Sequence, residues 1–421
     1  MHRAMVQIIR RHWNLTMNNK VVATCDFLII GAGIVGLNVA RCLKRIFREA
    51  SVIVIEKESE CGFHASGRNS GVLHAGFYYT PDSLKAKFTR LGNQLLTEYC
   101  DEKKIPINKC GKLVVAKNED DLAGLDILLK RGRENGVVLQ EITEQEASEI
   151  EPRVRTHQRA LFSPSTASVD PNQVLNAMKH DALREGIKIH CNAQYLKKIR
   201  NGMIVTTAGN YQPGYIINAA GLYADQIAKD FNFSQHYCVL PFKGIYLYSN
   251  EPKHSFKTNI YPVPDLKNPF LGVHFTITVG GQIKIGPTAI PAFWREQYNL
   301  LERFKFSEFT EILKKQLGLF FYSKFDFKKL ALEEMKKYSR HYMVQLASVL
   351  AKDVKKENYT QFGKPGIRAQ LLNVKEKKLE MDFILEGDKQ SMHILNAVSP
   401  GFTSSLPFSQ YVCDRIIELI T

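Results

Sequence analysis

Three glycines and one acidic residue have the spacing of a dinucleotide-binding turn. Gly31, Gly33 and Gly36 form a Gly-x-Gly-x-x-Gly sequence, and Glu56 lies 20 residues beyond the last of them. In such a turn the first glycine adopts a backbone conformation that strains other residues, the second leaves room for a pyrophosphate, and the third lets a helix approach a strand. The acid accepts hydrogen bonds from ribose hydroxyls. This set predicts a bound dinucleotide, and a glycine-rich turn without a ligand is the alternative.

The elements around the turn are those that such a site requires. An apolar run at 27–30 leads into the glycines, and apolar residues at helical spacing between 37 and 47 follow them. A second apolar run, 51–55, ends directly before Glu56. The order strand, turn, helix, strand would place the N–H groups and the positive dipole of the helix N-terminus beside the phosphates. The turn alone does not distinguish NAD from FAD.

The composition is that of a soluble globular protein with a strong basic excess. The 421 residues carry a formal net charge of +15, which we interpret as support for an anionic substrate, since no nucleic-acid-binding motif is present. A basic surface without a ligand is the alternative. No apolar run reaches the ~20 residues of a membrane-spanning helix, and peripheral membrane contact stays open. The eight cysteines include no Cys-x-x-Cys pair and no zinc-like spacing, so we predict a reducing compartment and no metal site.

The start of the chain has the character of a targeting segment. Its first 25 residues contain no acid and four Lys or Arg side chains. On a helix, four apolar side chains would share one face: Met5, Ile8, Ile9 and Trp13. These features predict a mitochondrial transit segment over residues 1–24 and a mitochondrial location. A short basic tail before the first strand is the alternative.

Patterns farther along the chain predict an α/β protein with an inserted domain. Helices are expected at 83–99, 120–135, 171–185 and 409–420, and a buried strand at 215–221. Beyond residue 241 the alternation at 244–248, 270–276 and 282–286 is typical of antiparallel strands. We predict a discontinuous Rossmann-like nucleotide-binding domain and an inserted α+β substrate domain on an antiparallel sheet. The first comprises 25–100, 151–235 and 362–421, and the second comprises 101–150 and 236–361.

Several motifs resemble those of the L-2-hydroxyglutarate dehydrogenase/oxidase family, part of the FAD enzymes that include D-amino acid and glycine oxidases. The longest is His64-x-Ser-Gly-x-Asn-Ser-Gly-Val-Leu-His-Ala-Gly-x-Tyr-Tyr79, and others lie at 260–265, 270–276, 366–370 and 399–405. The Asn-Ala-Ala-Gly run at 218–221 is shared by the wider group. The chain departs from the family pattern at Arg68, where His is usual, at Lys243, where Arg is usual, and at 401–402, where two alanines are usual.

The resemblance implies FAD as the cofactor, so that the nucleotide-binding domain is an FAD-binding domain. It also implies oxidation of L-2-hydroxyglutarate, a dicarboxylate 2-hydroxy acid, to 2-oxoglutarate. It further implies a mitochondrial location in eukaryotes, and an electron acceptor such as quinone. A flavin amine or amino-acid oxidase is a second reading. A non-catalytic flavin-binding partner in assembly or RNA modification is a third.

The same motifs carry the candidate catalytic residues. His74 is the predicted acceptor of the hydroxyl proton, because imidazole titrates near neutral pH, and His274 is the second candidate. Fixed positive charges are needed to hold carboxylates, and the candidates are Arg368, Lys243 and Arg68. Tyr261 is predicted to add a hydroxyl to the site. For each, a structural role is the alternative.

Beyond the glycine turn and Glu56, three segments are predicted to contact the cofactor. The loop after Glu56 would bond phosphate or ring atoms, the Asn-Ala-Ala-Gly run would close on the pyrophosphate, and the segment before the last helix would direct N–H groups and the helix dipole at the pyrimidine edge of the ring. The residues concerned are Ser66, Asn69, Ser70, Asn218, Ala220, Gly221, Thr403, Ser404 and Ser405.

Overall fold

The computed structural model describes residues 21–266, 270–323 and 326–421. Most of the predicted transit segment, residues 1–20, lies outside the described residues. The strands, in chain order, are β1 (Val21–Ile30), β2 (Val52–Ile55), β3 (Val72–Leu73), β4 (Ile107–Asn108), β5 (Lys112–Val115), β6 (Gln140–Thr143), β7 (Arg159–Ser163), β8 (Ala167–Val169), β9 (Lys188–His190), β10 (Tyr195–Lys198), β11 (Ile204–Thr206), β12 (Gly209–Asn218), β13 (Tyr237–Gly244), β14 (Leu247–Ser249), β15 (Asn259–Pro262), β16 (His274–Ile277), β17 (Ile283–Gly286), β18 (Ile290–Pro291), β19 (Tyr359–Phe362), β20 (Gly366–Asn373), β21 (Lys378–Leu379), β22 (Leu385–Gly387) and β23 (Ser391–Ile394).

The α-helices of the described part alternate with these strands. In chain order they are α1 (Ile34–Ile46), α2 (Leu84–Glu102), α3 (Leu122–Glu134), α4 (Glu144–Ile150), α5 (Pro171–Arg184), α6 (Ala224–Lys229), α7 (Phe306–Tyr322), α8 (Phe327–Lys336), α9 (Arg340–Ser348) and α10 (Ser405–Ile420). In the described ranges, no helix combines the length and the apolar character needed to cross a membrane.

The first large sheet is built around β1, and the glycine turn follows the C-terminal end of this central strand. Five strands pair in parallel in the order β9-β2-β1-β12-β23, and β22, β11 and β10 extend the sheet in antiparallel pairs. Phe27 and Ile29 enter the core on one face with α1, α5 and α10, while Leu28 and Ile30 enter the core on the other. A parallel sheet buried on both faces is the Rossmann-like architecture that the sequence predicts.

The second large sheet has one apolar and one polar face. Its strands run in the order β19-β14-β17-β16-β15-β5-β7-β6, antiparallel except for the β15–β5 pair. Leu113, Ile260 and Phe275 lie in an apolar core that α9 closes. Because side chains alternate along strands, their neighbours Lys112, Tyr261 and His274 occupy the opposite face, yet they are also buried. This buried polar face is the one that contacts the segment after β3.

Two smaller sheets complete the fold. One runs in the order β18-β13-β20-β21, and the other contains β3, β8 and β4. Strand pairing joins segments that the sequence analysis assigned to different domains: β7, within 151–235, pairs with β5 and β6, and β20, within 362–421, pairs with β13. Such pairings link residues far apart in the chain, and local periodicity gives no information about them.

Candidate functional site

The glycine turn fits closely between β1, α1 and the turn that follows β12. Gly31 has φ +107°, and a Cβ on it would lie 2.6 Å from the carbonyl oxygen of Ala219. A Cβ on Gly36 would lie 2.0 Å from the carbonyl oxygen of Gly31. Both positions therefore exclude side chains, and the backbone at Gly33 stays open toward the adjacent cavity, which it lines.

The N-terminus of α1 faces the same cavity. Gly33 is the N-cap residue and has no side chain to cap the helix. The hydroxyl of Ser66 accepts a hydrogen bond from the Ile34 N–H at 2.9 Å. Ser66 thus joins the loop after β2 to the helix end, where the dipole favours an anion.

Glu56 occupies the end of β2 and is 8% exposed. Its carboxylate accepts hydrogen bonds from the Ala32 N–H at 2.8 Å and from the Glu58 N–H at 3.0 Å. Burial raises the pKa of this carboxyl group. Because each carboxylate oxygen has a further lone pair, the geometry leaves room for the predicted bond to a ribose hydroxyl.

One cavity of about 700 Å³ collects most of the predicted residues, a volume in the ordinary range for ligand sites. Those that line it are Gly31, Gly33, Gly36, Glu56, Ser66, Arg68, Asn69, Ser70, His74, Ala220, Gly221, Arg368 and Thr403. Six predicted residues do not line it: Asn218, Lys243, Tyr261, His274, Ser404 and Ser405.

Asn69 and Arg68 shape the loop after β2 from within. The Asn69 amide donates to the Ser66 carbonyl at 2.7 Å and accepts from the Gly71 N–H at 2.8 Å. Arg68 donates to the carbonyl of Phe63 at 2.8 Å and to that of Pro365 at 3.2 Å. Two of the five Arg68 N–H donors are thus bonded to backbone carbonyls, so Arg68 anchors the loop, and its role as a carboxylate clamp stays a prediction.

Asn218 also acts on the backbone. It is fully buried, donates to the Ala224 carbonyl at 2.8 Å and accepts from the Ala220 N–H at 3.2 Å. These bonds fix the turn after β12, whose residues Ala219–Gly221 line the cavity. The predicted contact of Asn218 with a cofactor is therefore replaced by an indirect role, because its amide faces the turn.

The segment before α10 contacts β3 and His74, which follows it. The Thr403 hydroxyl donates to the Val72 carbonyl and accepts from the His74 N–H, both at 3.2 Å. Ser404 is the N-cap residue of α10, and its hydroxyl lies 3.3 Å from that of Thr89. The Ser405 hydroxyl is buried and has no hydrogen-bond partner among the described residues. Thr403 is the one of these three that reaches the cavity wall.

Two buried histidines stand near each other at the polar face of the second sheet. His74 is 8% exposed, and its Nδ1 has no hydrogen-bond partner in the described part of the chain. Burial, with a smaller contribution from the charge of Lys112, lowers the pKa of His74 to about 3. Burial also lowers the pKa of His274, whose Nδ1 lies 2.9 Å from the Gly272 carbonyl. Both imidazoles are therefore neutral at physiological pH, and each is a weaker base than the free imidazole on which the prediction for His74 is based.

His274 is oriented by Tyr261 as well as by this carbonyl. The two rings stack with centroids 3.6 Å apart. Since a carbonyl accepts, Nδ1 of His274 carries the hydrogen and Nε2 presents a lone pair. Tyr261 is fully buried, and its hydroxyl has no hydrogen-bond partner in the described ranges.

The two main clamp candidates leave their sheet on opposite faces. Arg368 lies opposite Phe242 across the β13–β20 pair, and Lys243 lies opposite Ile367. Directly paired residues share a face and neighbours alternate, so Lys243 points away from the face of Arg368. Arg368 lines the cavity and donates to the Thr288 carbonyl at 2.9 Å. The structure therefore does not bring Lys243 and Arg368 to one carboxylate.

Sequence reasoning missed Lys112, Tyr78 and Thr276, which lie beside His274 and Tyr261. All three are buried and carry polar atoms without hydrogen-bond partners among the described residues. A signal was present at Lys112, because a lysine in the apolar run Leu113–Ala116 stands at a position that strand alternation buries.

The cradle around the glycine turn fits a dinucleotide, since the backbone at the turn excludes side chains and a helix N-terminus faces the cavity. Residues 26–415 match the family described as FAD dependent oxidoreductase. The fold and the site thus define a flavoenzyme, and the chain belongs to the FAD dependent oxidoreductase family with FAD as its cofactor.

Within that family the similar curated proteins share one name. The chain is 36% identical to the mitochondrial L-2-hydroxyglutarate dehydrogenase of Nematostella vectensis, with 94% of this chain and 91% of the relative covered. It is 33% identical to the L-2-hydroxyglutarate dehydrogenase of Escherichia coli K12, with 94% of each covered. It is 34% identical to the mitochondrial enzyme of Bos taurus, with 93% and 88% covered.

Solved structures share the fold at lower identity. L-alpha-glycerophosphate oxidase from Mycoplasma pneumoniae, with FAD bound, superimposes with a TM-score of 0.73 at 21% identity, covering 94% of each chain. Glycine oxidase from Geobacillus kaustophilus has a TM-score of 0.70 at 18% identity, covering 94% of this chain and 95% of the other. These likenesses confirm the predicted α/β architecture.

Proposed function

We propose that this protein oxidises L-2-hydroxyglutarate to 2-oxoglutarate. The observation that carries the proposal is the cavity beside the glycine turn, whose wall holds both Arg368 and His74, in a chain 33–36% identical to enzymes of that name. A dicarboxylate substrate needs positive charge to replace its hydration. Arg368 lines the cavity, and in the described ranges the carboxylate that influences its charge is that of Glu334, which forms no ion pair with it.

The residues divide the work as follows. Arg368 holds one carboxylate, and a neutral His74 accepts the proton of the C2 hydroxyl as the carbonyl forms. His274, with its lone pair on Nε2, is the second candidate for that acceptor. FAD, held by the glycine turn and Glu56, would supply the ring that takes up the hydride from C2. Burial lowers the pKa of both histidines, which keeps each imidazole neutral over the physiological pH range.

Anaerobic bleaching of the FAD absorbance tests this function directly. L-2-hydroxyglutarate should bleach the purified, FAD-loaded protein within seconds, and the D enantiomer should do so far more slowly. Glycine, D-alanine and L-proline serve as controls for an amino-acid oxidase. Bleaching by an amino acid and not by L-2-hydroxyglutarate would replace the proposal with the amine-oxidase reading. A flavin that no small hydroxy or amino acid reduces would favour the non-catalytic reading.

We also propose a mitochondrial location and a membrane-bound acceptor such as quinone. The acid-free, basic composition of residues 1–24 supports a transit segment, and relatives from animals carry the word mitochondrial in their names. Relatives from bacteria are equally similar, so the segment itself requires a test. Residues 1–24 fused to a fluorescent protein should direct it to mitochondria, and a diffuse signal would contradict this part of the proposal.

A further inference from the structure

Several buried polar atoms gather at the polar face of the second sheet, and none has a hydrogen-bond partner among the described residues. Every one of these groups is able to donate a hydrogen bond. Buried polar groups in folded proteins are almost always paired, so a cluster of unpaired donors points to a missing acceptor. The atoms are His74 Nδ1, Tyr78 Oη, Lys112 Nζ, Tyr261 Oη and Thr276 Oγ1.

Lys112 is the charged member of this cluster. Its side chain is 0% exposed, and Nζ lies 4.6 Å, 4.5 Å and 4.7 Å from the ring centroids of Phe77, Tyr78 and Tyr261. Ring faces attract a cation but replace its hydration only in part. Within 21–266, 270–323 and 326–421, no carboxylate forms an ion pair with Lys112. Burial lowers the pKa of this ammonium to about 7.

Other buried lysines differ from Lys112 in having partners. Lys284, on the same face of the sheet, donates to the Ser70 carbonyl at 2.9 Å. Lys85 lies near Asp382, whose charge raises its pKa against the effect of burial. A buried ammonium without such a partner destabilises the fold. Stability therefore does not explain the lysine at 112, whereas binding of an anion does.

The position of the cluster indicates that the anion is a carboxylate group of the substrate. The charges of Lys112 and Arg368 both act on His274, so both cations lie near the same imidazole. A substrate with two carboxylates would place one at each cation and its reacting carbon near the histidines. Lys243 offers no such arrangement, since it leaves the opposite face of its sheet. Arg68 has two of its five N–H donors bonded to backbone carbonyls, which leaves it fewer for a carboxylate.

We propose that Lys112, with the Tyr78 and Tyr261 hydroxyls, binds the carboxylate remote from the reacting carbon and makes the site selective for dicarboxylates. This inference rests on the proposed function for the identity of the substrate. The carboxylate supplies an acceptor for the Lys112 ammonium and the Tyr78 hydroxyl. The Tyr261 hydroxyl, which has the Thr276 hydroxyl as a neighbour, can donate to the same carboxylate.

Equilibrium binding of products separates this role from the oxidation itself. The FAD-loaded protein is titrated with 2-oxoglutarate and with 2-oxopentanoate, which has a methyl group in place of the remote carboxylate, and binding is followed by the flavin absorbance. Lys112→Met should weaken 2-oxoglutarate binding by about 10- to 100-fold, the range for a hydrogen bond to a charged group. Its affinity for 2-oxopentanoate should stay near that of the wild type.

Lys85→Met is the matched control, because it removes another buried lysine outside the cluster. It should leave the ratio of the two affinities unchanged. Lys112→Arg keeps the charge and should retain part of the dicarboxylate preference. If Lys112→Met weakens both ligands equally, or neither, the inference is wrong. FAD content and thermal melting show whether the variant folds, and removal of the unpaired charge should raise its melting temperature.

Proton uptake gives an independent readout. An anion beside Lys112 raises its pKa above 7, so wild-type protein should take up a proton on binding 2-oxoglutarate at about pH 8. Among the neighbours, His74 and His274 titrate far below this pH and Tyr78 and Tyr261 far above it, whereas Lys284, on the same face of the sheet, has a pKa of about 8 and can also take up a proton. Lys112→Met should therefore show less uptake than the wild type, and uptake equal to the wild type would contradict the inference.

The two proposals fail in different ways. Absence of bleaching by L-2-hydroxyglutarate in the wild type would remove the proposed function. The inference about Lys112 would then be tested by titrating succinate, glutarate and adipate against butyrate, pentanoate and hexanoate. It would be overturned if no dicarboxylate loses affinity in Lys112→Met.

Discussion

Two neighbouring neutral imidazoles create a choice of proton acceptor at the scale of single residues. His74 borders the cavity, and its Nδ1 is free of any hydrogen bond within the described residues. His274 does not border it, and its Nδ1 is engaged by the Gly272 carbonyl. Its place on the cavity wall favours His74 as the group that meets the hydroxyl, and the tautomer of His274 suits a hydrogen bond through Nε2.

We predict that His74→Gln slows anaerobic bleaching by L-2-hydroxyglutarate by about 10² to 10⁴-fold, the usual contribution of a general base. Glutamine keeps the size and the hydrogen bonding but accepts no proton, so the affinity for 2-oxoglutarate should change little. Stopped-flow absorbance measures the rate, and His274→Gln is the parallel variant. Equal rates for His74→Gln and wild type would exclude His74, and a larger loss in His274→Gln would assign the role to His274.

Residues in a local motif were predictable, and those brought together by distant pairing were not. Gly31, Gly33 and Glu56 are recognisable because one strand–turn–helix–strand unit, continuous in the sequence, fixes their spacing. Lys112 reaches Tyr261 only because β5 pairs in parallel with β15, which puts Lys112 beside Asn259. No periodicity in the sequence reports that register. The motifs therefore point to Lys243 and Arg68, and not to Lys112, as cations that could bind a carboxylate.

At the scale of elements, the site depends on the close approach of α1 to β1. Gly36→Ala would place a Cβ 2.0 Å from the Gly31 carbonyl oxygen, so the helix must move away from the turn. We predict that this variant loses most of its bound FAD, measured as the ratio of flavin to protein absorbance. Gly318→Ala, in α7, is the control: its Cβ would meet nothing within 4 Å, and alanine favours a helix. Full FAD content in Gly36→Ala would show that the contact is not limiting.

Helices were predicted better than the antiparallel strands. α2 begins after the N-cap Ser83, and α5 begins with Pro171 at its first position, both of which are local signals. The single strand expected at 244–248 is wrong, because β13 ends at Gly244 and β14 begins at Leu247. The strand expected at 270–276 is shorter and later, at His274–Ile277. Alternation shows that strands exist, but their ends depend on partners.

At the scale of the whole molecule, a cluster of charges joins the segment after β2 to the segment after β18. Lys57 Nζ lies 2.9 Å from Glu58 Oε1, and Arg303 Nη1 lies 2.6 Å from Glu296 Oε2. Lys57 also pairs with Glu296, and Arg303 also pairs with Glu58. Ligand atoms of Glu58, His64 and Glu296 lie within 4.8 Å of one another. Because Lys57 and Arg303 already neutralise these carboxylates, the cluster is best explained as a clasp between the two segments.

We predict that Glu296→Gln lowers the apparent melting temperature by a few degrees, since loss of hydrogen bonds to charged groups costs about 2 kcal/mol. The pairing lowers the pKa of Glu296 to about 2, below the ordinary value near 4.3. Its stabilisation is therefore present above about pH 4.3 and is lost as the pH falls toward 2.

Melting curves of wild type and Glu296→Gln between pH 7 and pH 3 should therefore converge toward the acid end. Glu418→Gln, which removes an exposed pair with Arg415, should be nearly neutral at every pH because exposed pairs contribute little. A gap between wild type and Glu296→Gln that stays constant with pH would mean that the carboxylate acts through packing alone. The contact would then depend on shape, and the charges of Lys57 and Arg303 would be incidental to how the segment after β18 is held against the segment after β2.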